Sequence, residues 1–165
     1  MKSRVYNVRF LVTGALIAAI YVIITGIFAP ISFGLVQLRI SEAMYILALF
    51  EAAAVPGLTV GCLICNLLWT PFGLIDIVLG TLATALGVLF VRKMRAHRTL
   101  SLLGPVVTNG LLIPVVLIIG GVESSYLLGA VYIAAGEAIA CYGLGLPLCE
   151  AVERVLKQIN RKNGD

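Results

Sequence analysis

Long aliphatic runs dominate the chain, each ended by a short polar stretch or by glycine and proline. The runs predict helices over about 10–29, 41–55, 57–70, 72–91, 100–119 and 126–150. Pro56-Gly57 is expected to part the second from the third. Thr70-Pro71-Phe72-Gly73 parts the third from the fourth, and Gly120-Gly121 with Glu123-Ser124-Ser125 parts the fifth from the sixth. Ser124 or Ser125 is placed to cap the last helix. The pattern is that of an all-α integral membrane protein, a bundle of six transmembrane helices in one domain, 1–165. The first run is expected to be retained, because it is long and no small-x-small cleavage signal follows it.

Composition strengthens this. The chain is 61% hydrophobic and 12% charged, with a mean hydropathy of +1.07, whereas soluble domains carry about 25% charged residues. Charge then orients it. Eleven of the twelve basic residues fall in three clusters: Lys2, Arg4 and Arg9; Arg92, Lys93, Arg95 and Arg98; and Arg154, Lys157, Arg161 and Lys162. With the N-terminus inside, six crossings put all three clusters and both termini in the cytoplasm, and Arg39 alone outside. Such clusters flank spans, so no nucleic-acid partner is expected. The second and third runs are short enough to form a re-entrant hairpin instead, with the same parity. Labelling of an Ala54→Cys variant from the cytoplasm only would exclude re-entry.

The stretch "SFGLVQLRISEAM", Ser32 to Met44, holds Gln37, Arg39, Ser41 and Glu42 between two apolar runs. Ionisable groups at membrane depth are costly and mark functional sites. On the outer side lie Arg39, Glu42, Asp76, Glu123 and Glu137, four acids against one base, with Asn66 and Asn109 as amide partners. A cavity with that balance favours a ligand rich in N–H donors, or a cationic one. Asn66 and Trp69 share a helix face, as do Asp76, Gly80 and Thr84. Tyr126, Ala130, Ala134, Glu137 and Cys141 line one face of the last helix. Asn109 lies between Pro105 and Pro114, which are expected to disturb the fifth helix and free carbonyls. Each residue has a plainer role available. Arg39 and Glu42 can pair at the water interface, Glu123 can be a solvated loop residue, and the two asparagines can bond helix to helix. Glu51, half a turn from the Glu42 face, is assigned to packing or subunit contact.

Small residues recur at four-residue spacing: Ala15 and Ala19, with Gly14 and Ala18 alongside; Gly57 and Gly61; and Gly80, Thr84 and Gly87. Such rows let helices pack closely or offer a face to another membrane subunit. The four cysteines, Cys62, Cys65, Cys141 and Cys149, all lie in apolar runs. Cys62 and Cys65 are assigned to packing, since a metal site needs further ligands and His97 stands alone. No nucleotide-binding loop, nucleophile elbow or zinc-protease motif is present. No enzyme activity, metal or cofactor is therefore expected, and no inverted repeat suggests a conventional secondary transporter.

The blocks "FAPISFGLVQLRISEAM", "PGLTVGCLICNLL", "GLIDIVLGTLATALG" and "GEAIACYGLGLPL" resemble, in order over nearly the whole chain, the QueT family. These are substrate-binding (S) components of energy-coupling factor (ECF) transporters associated with queuosine precursors. The resemblance implies a six-helix S component that binds a 7-deazaguanine: the aminomethyl or cyano precursor, or queuine. It implies Ala15 and Ala19 as the surface for the transmembrane coupling (T) subunit, which joins two ATPase subunits. Glu137 would then accept the ring's N1–H and 2-amino group together. Asn109, Asn66 or Arg39 would donate to the 6-oxo group. Glu42, Asp76 or Glu123 would meet an aminomethyl cation, and Trp69 or Tyr126 would stack on the ring. Gln37, Arg39 and Glu42 would touch the ligand or hold the loop that covers it. Two other readings stay open: an S component for another vitamin, a cationic one included, and a non-transporting membrane scaffold.

Overall fold

The computed structural model describes residues 2–34 and 37–162. Leu35 and Val36, inside the Ser32–Met44 stretch, lie outside the described residues. The described residues are helical with short connections. Lys2–Ile27 is the first long helix, followed by Ala54–Trp69, Leu74–Lys93, Leu103–Ile119 and Tyr126–Ala138, the last continuing through a π turn, Ile139–Leu144, into Gly145–Lys162. Four stretches are long and apolar enough to cross a membrane: Asn7–Ile27, Leu74–Lys93, Arg98–Ile119 and Tyr126–Ile159. Two shorter apolar segments, Ile40–Phe50 and Ala54–Trp69, complete the set. At 1.5 Å per residue the last stretch, Tyr126–Ile159, is about 51 Å long, more than the ~30 Å of hydrocarbon requires.

Three boundaries differ from the sequence expectation. The expected helix over 41–55 is a 3-10 turn, Ile40–Ile46, followed by one α turn, Leu47–Phe50. The break falls at 51–53, not at Pro56-Gly57. Pro56 sits in the first turn of Ala54–Trp69, where its missing N–H costs no helical bond. The chain turns earlier because Glu51 leaves the helical region and its carboxylate accepts the Ala53 N–H at 3.2 Å. The last helix continues to Lys162 rather than ending near 150.

The helices pack in chain order: the first on Ala54–Trp69, that on Leu74–Lys93, then Leu103–Ile119, then Tyr126–Ala138. The 3-10 turn closes the ring, lying against the first helix on one side and the π turn and C-terminal helix on the other. Small residues set the first crossing. A Cβ on Gly57 would stand 2.7 Å from the Gly14 carbonyl oxygen, so only glycine permits this approach. The small-residue row of the first helix therefore divides. Gly14 and Ala18 turn inward, while Ala15 and Ala19 remain exposed. The apolar core is centred on Tyr21, Tyr45, Ile46, Leu58 and Leu102, all essentially inaccessible.

Candidate functional site

The 3-10 turn positions the first polar groups. Its three residues per turn bring positions i and i+3 into line, so Arg39, just before it, stands beside Glu42, with Nη1 3.9 Å from Oε1. Arg39 is 3% exposed. Its Nε donates to the Ser32 carbonyl at 3.4 Å, Nη1 to Cys62 Sγ at 3.4 Å, and Nη2 to Asn66 Oδ1 at 3.1 Å. Asp76 Oδ2 lies 3.9 Å away on the other side, and the Phe33 ring covers the guanidinium with its centroid at 4.8 Å. A planar group with five fixed donors suits a site approached from several directions; a lysine could not reproduce it.

Asp76 comes from the first turn of Leu74–Lys93. Its Oδ2 accepts from Thr70 Oγ1 at 2.5 Å, and its backbone carbonyl accepts from Asn66 Nδ2 at 3.2 Å. Cys62 was assigned to packing, yet its sulfur lies at the centre of this network. Besides Arg39, it takes Thr84 Oγ1 at 3.1 Å and Asn66 Nδ2 at 3.5 Å. The one signal in the sequence was its i, i+4 spacing to Asn66, which puts both on one helix face.

The second group comes from the far side of the ring. Asn109 donates through Nδ2 to the Pro105 carbonyl at 3.2 Å and to Glu137 Oε1. Glu137 is 2% exposed, two residues before its helix gives way to the π turn. That turn re-aims the next residues, as π turns at functional sites often do. It sets the Cys141 thiol 3.8 Å from Glu137 Oε2 and 3.9 Å from the Glu42 carbonyl. Gln37, Arg39, Glu42, Asn109 and Glu137, with Ile113 and Ile133, line one cavity of about 10 Å³. That is room for roughly one water.

Gln37, Arg39, Glu42, Asn66, Asp76, Asn109 and Glu137 are thus brought into two touching groups that share Arg39 and Glu42. Gln37 takes a left-handed backbone, φ 45°, a conformation that costs a non-glycine residue about 1–2 kcal/mol. Its buried Nε2 has no partner among the described residues. Three other candidates stand away from the cavity. Trp69 is 38% exposed and its ring lies over Gly26 of the first helix. Tyr126 is 42% exposed and donates to the Leu111 carbonyl at 2.9 Å. Glu123 Oε1 accepts the N–H groups of Ser124 and Ser125 at 2.8 and 3.0 Å, while Ser125 caps the last helix. Ala15 belongs to a different feature, an apolar groove of about 230 Å³ between the first helix and Ala54–Trp69, lined by Phe10, Leu11, Gly14, Pro56, Gly57 and Val60 as well.

The profile of the QueT transporter family matches residues 11–154. The chain belongs to the QueT transporter family. A curated relative, "Queuosine precursor transporter QueT" of Lactococcus lactis subsp. cremoris (strain MG1363), is 38% identical over 101 residues, covering 57% of this chain and 56% of the relative. The match thus spans little more than half of that relative's length. No solved structure matches the chain. Family membership, with several helices apolar enough to span, makes this QueT-family chain a multi-pass membrane protein of bacteria. The family's matched region contains the whole polar cluster, from Ser32 to Cys141.

Proposed function

We propose that the chain is the substrate-specificity (S) component of an ECF-type importer, binding a 7-deazaguanine queuosine precursor from the outer side. The observation that carries this is the cavity between the buried Arg39, Glu42, Asn109 and Glu137, in a member of the QueT transporter family. The ring's N1–H and 2-amino group form a donor pair that a single carboxylate accepts side by side. Glu137 takes that role, with its orientation held by Asn109. Arg39 and the Gln37 amide supply the donors for the 6-oxo group. Small-molecule sites occupy roughly 300–1,000 Å³, so the cavity described here belongs to a closed form, and entry requires the Gln37–Arg39 segment to move aside.

In this reading all six helical segments belong to the bundle, both termini face the cytoplasm, and the basic clusters stay on that side. The chain has no nucleotide-binding motif, so the energy comes from a T subunit and two ATPase subunits. The exposed Ala15 and Ala19, beside the apolar groove at Gly14 and Gly57, form the docking face for the T subunit. Co-expression with the coupling module should yield a complex with the wild type and none with an Ala15→Trp, Ala19→Trp variant.

Binding of 7-deazaguanines to the purified chain tests the substrate. Glu137→Gln keeps the shape but presents one acceptor oxygen where two donors point. It should weaken binding by about 100-fold, the range expected when a buried polar pair is left unmatched. Unchanged affinity would remove Glu137 from the site. A pure scaffold would bind no ligand at all.

A further inference from the structure

The charges around the cavity do not balance. Glu42 and Glu137, each 2% exposed, line a space with room for about one water. The single cation near them among the described residues is Arg39, and it is shared: its Nη1 lies 3.9 Å from Glu42 and its Nη2 3.9 Å from Asp76. Among the described residues, the other titratable groups that face the pair bring no positive charge. Tyr21 faces the pair from the first helix, Tyr45 from the 3-10 turn, Cys62 from Ala54–Trp69 and Cys141 from the π turn. Leu103–Ile119 contributes only the neutral Asn109. Three carboxyls therefore share one guanidinium. Two carboxylates lining one small buried cavity repel strongly, and an uncompensated buried charge costs several kcal/mol.

A second observation points to a ligand rather than to a structural ion pair. The Gln37 Nε2, 94% buried by its 6% exposure, lines the same cavity and has no acceptor among the described residues. The cavity thus presents a donor without an acceptor beside an acid pair one positive charge short.

We propose that the Glu42–Glu137 pair holds a proton in the closed, ligand-free site and releases it to the outer solution when a monocationic ligand enters. This rests on the 7-deazaguanine reading and narrows it to the aminomethyl form. The ligand brings one alkylammonium, which stays charged at neutral pH as a lysine does. One O–H proton leaves, so the charge of the buried site is unchanged. The ammonium N–H groups donate to the Glu42 carboxylate from which the proton leaves, Glu137 keeps the N1–H and 2-amino group, and the Gln37 amide donates to a ring acceptor. A cyano group in the same position brings no charge and displaces no proton, so the site favours the aminomethyl ring over the cyano ring.

The sign of the pH dependence follows. The empty site binds one more proton than the occupied one. Raising pH therefore favours binding of the cation, by about tenfold per unit while the pair stays protonated in the empty protein. Binding of the neutral cyano ring does not rise with pH.

Calorimetry on the purified chain tests this, with the aminomethyl and cyano 7-deazaguanines each titrated at one pH in two buffers of different ionisation heat. About one proton should be released per aminomethyl ligand and none per cyano ligand, and Glu42→Gln should abolish the release. Binding of the aminomethyl ring without proton release, or equal release with both rings, would overturn the exchange and leave the transport reading intact. If neither ring binds, the 7-deazaguanine reading fails, and the exchange with it.

Discussion

The chain places the same three chemical groups together twice. At one end of the bundle, Arg39 meets Glu42, Asp76 and the Cys62 sulfur. At the other, Arg98 meets Glu153 and the Cys149 sulfur. Judged by distance, the second ion pair is the better one, at 3.4 Å against 3.9 Å. Judged by surroundings, the order reverses. The side chains of Arg39 and Glu42 are each 3% exposed, whereas those of Arg98 and Glu153 are 42% and 38% exposed. Water competes for the second set and is excluded from the first. What separates a site from a surface contact is therefore exclusion of solvent, not closeness of pairing.

The sharpest way to break this comparison is Arg39→Met. It leaves Asp76 and Glu42 buried without their counter-charge, which costs about 3–5 kcal/mol in buried pairs of this kind. Thermal unfolding of the solubilised protein should show the loss directly. Arg39→Lys should recover only part of it, because one ammonium cannot reach Ser32, Cys62 and Asn66 together. A wild-type melting curve for Arg39→Met would mean that the cluster is wet and that its burial carries no energetic weight.

Much of this was legible in the chain itself. The isolation of Arg39 among apolar runs marked the cluster, and helical spacing put Glu137 and Cys141 on one face. The four longer spans followed from the length of their runs. Other features were hidden for physical reasons. A 3-10 turn and an α-helix both bring Arg39 and Glu42 together at i, i+3, so the side chains alone do not separate them. Pro56-Gly57 reads as a break, yet proline is at home in a first turn and Gly57 serves a helix crossing. Cys62 gave little sign of its role, because a thiol in an apolar run usually only packs; its three donors come from three separate segments. Trp69, Tyr126 and Glu123 were aromatic or acidic at suitable depth, and only the tertiary structure shows Trp69 packed over Gly26 and the other two bonded away from the cavity.

A smaller effect sharpens the comparison through the sulfurs. Cys62 and Cys149 are both fully buried, so truncation to alanine leaves a similar void in each place. Cys62→Ala also strands donors from Arg39, Asn66 and Thr84, and such stranded groups cost about 1–3 kcal/mol. Cys149→Ala strands none that water cannot reach, since Arg98 approaches its sulfur only at 4.0 Å from an exposed position. Cys62→Ala should therefore melt distinctly below Cys149→Ala. Cys62→Ser, which keeps an acceptor, should fall between Cys62→Ala and the wild type. Equal melting of the two alanine variants would reduce Cys62 to a packing residue.

The smallest expected effect is Arg98→Met, and it is the cleanest control on the Arg39 variant. Removing this guanidinium breaks the shortest Arg–carboxylate contact among the described residues. Yet Glu153 is left facing water, which solvates a carboxylate as well as an exposed arginine does. Two long side chains also regain the rotamer freedom that the contact held. The melting temperature and the affinity for a 7-deazaguanine should both match the wild type. Salt separates the two possible accounts. At about 1 M ionic strength the screening length falls to about 3 Å, which weakens exposed pairs and spares buried ones. A wild-type melting curve that holds its position in salt, together with a neutral Arg98→Met, places the stabilising electrostatics within the buried cluster. A drop for Arg98→Met as large as that for Arg39→Met would show that proximity governs both ends alike, and the distinction between them would be lost.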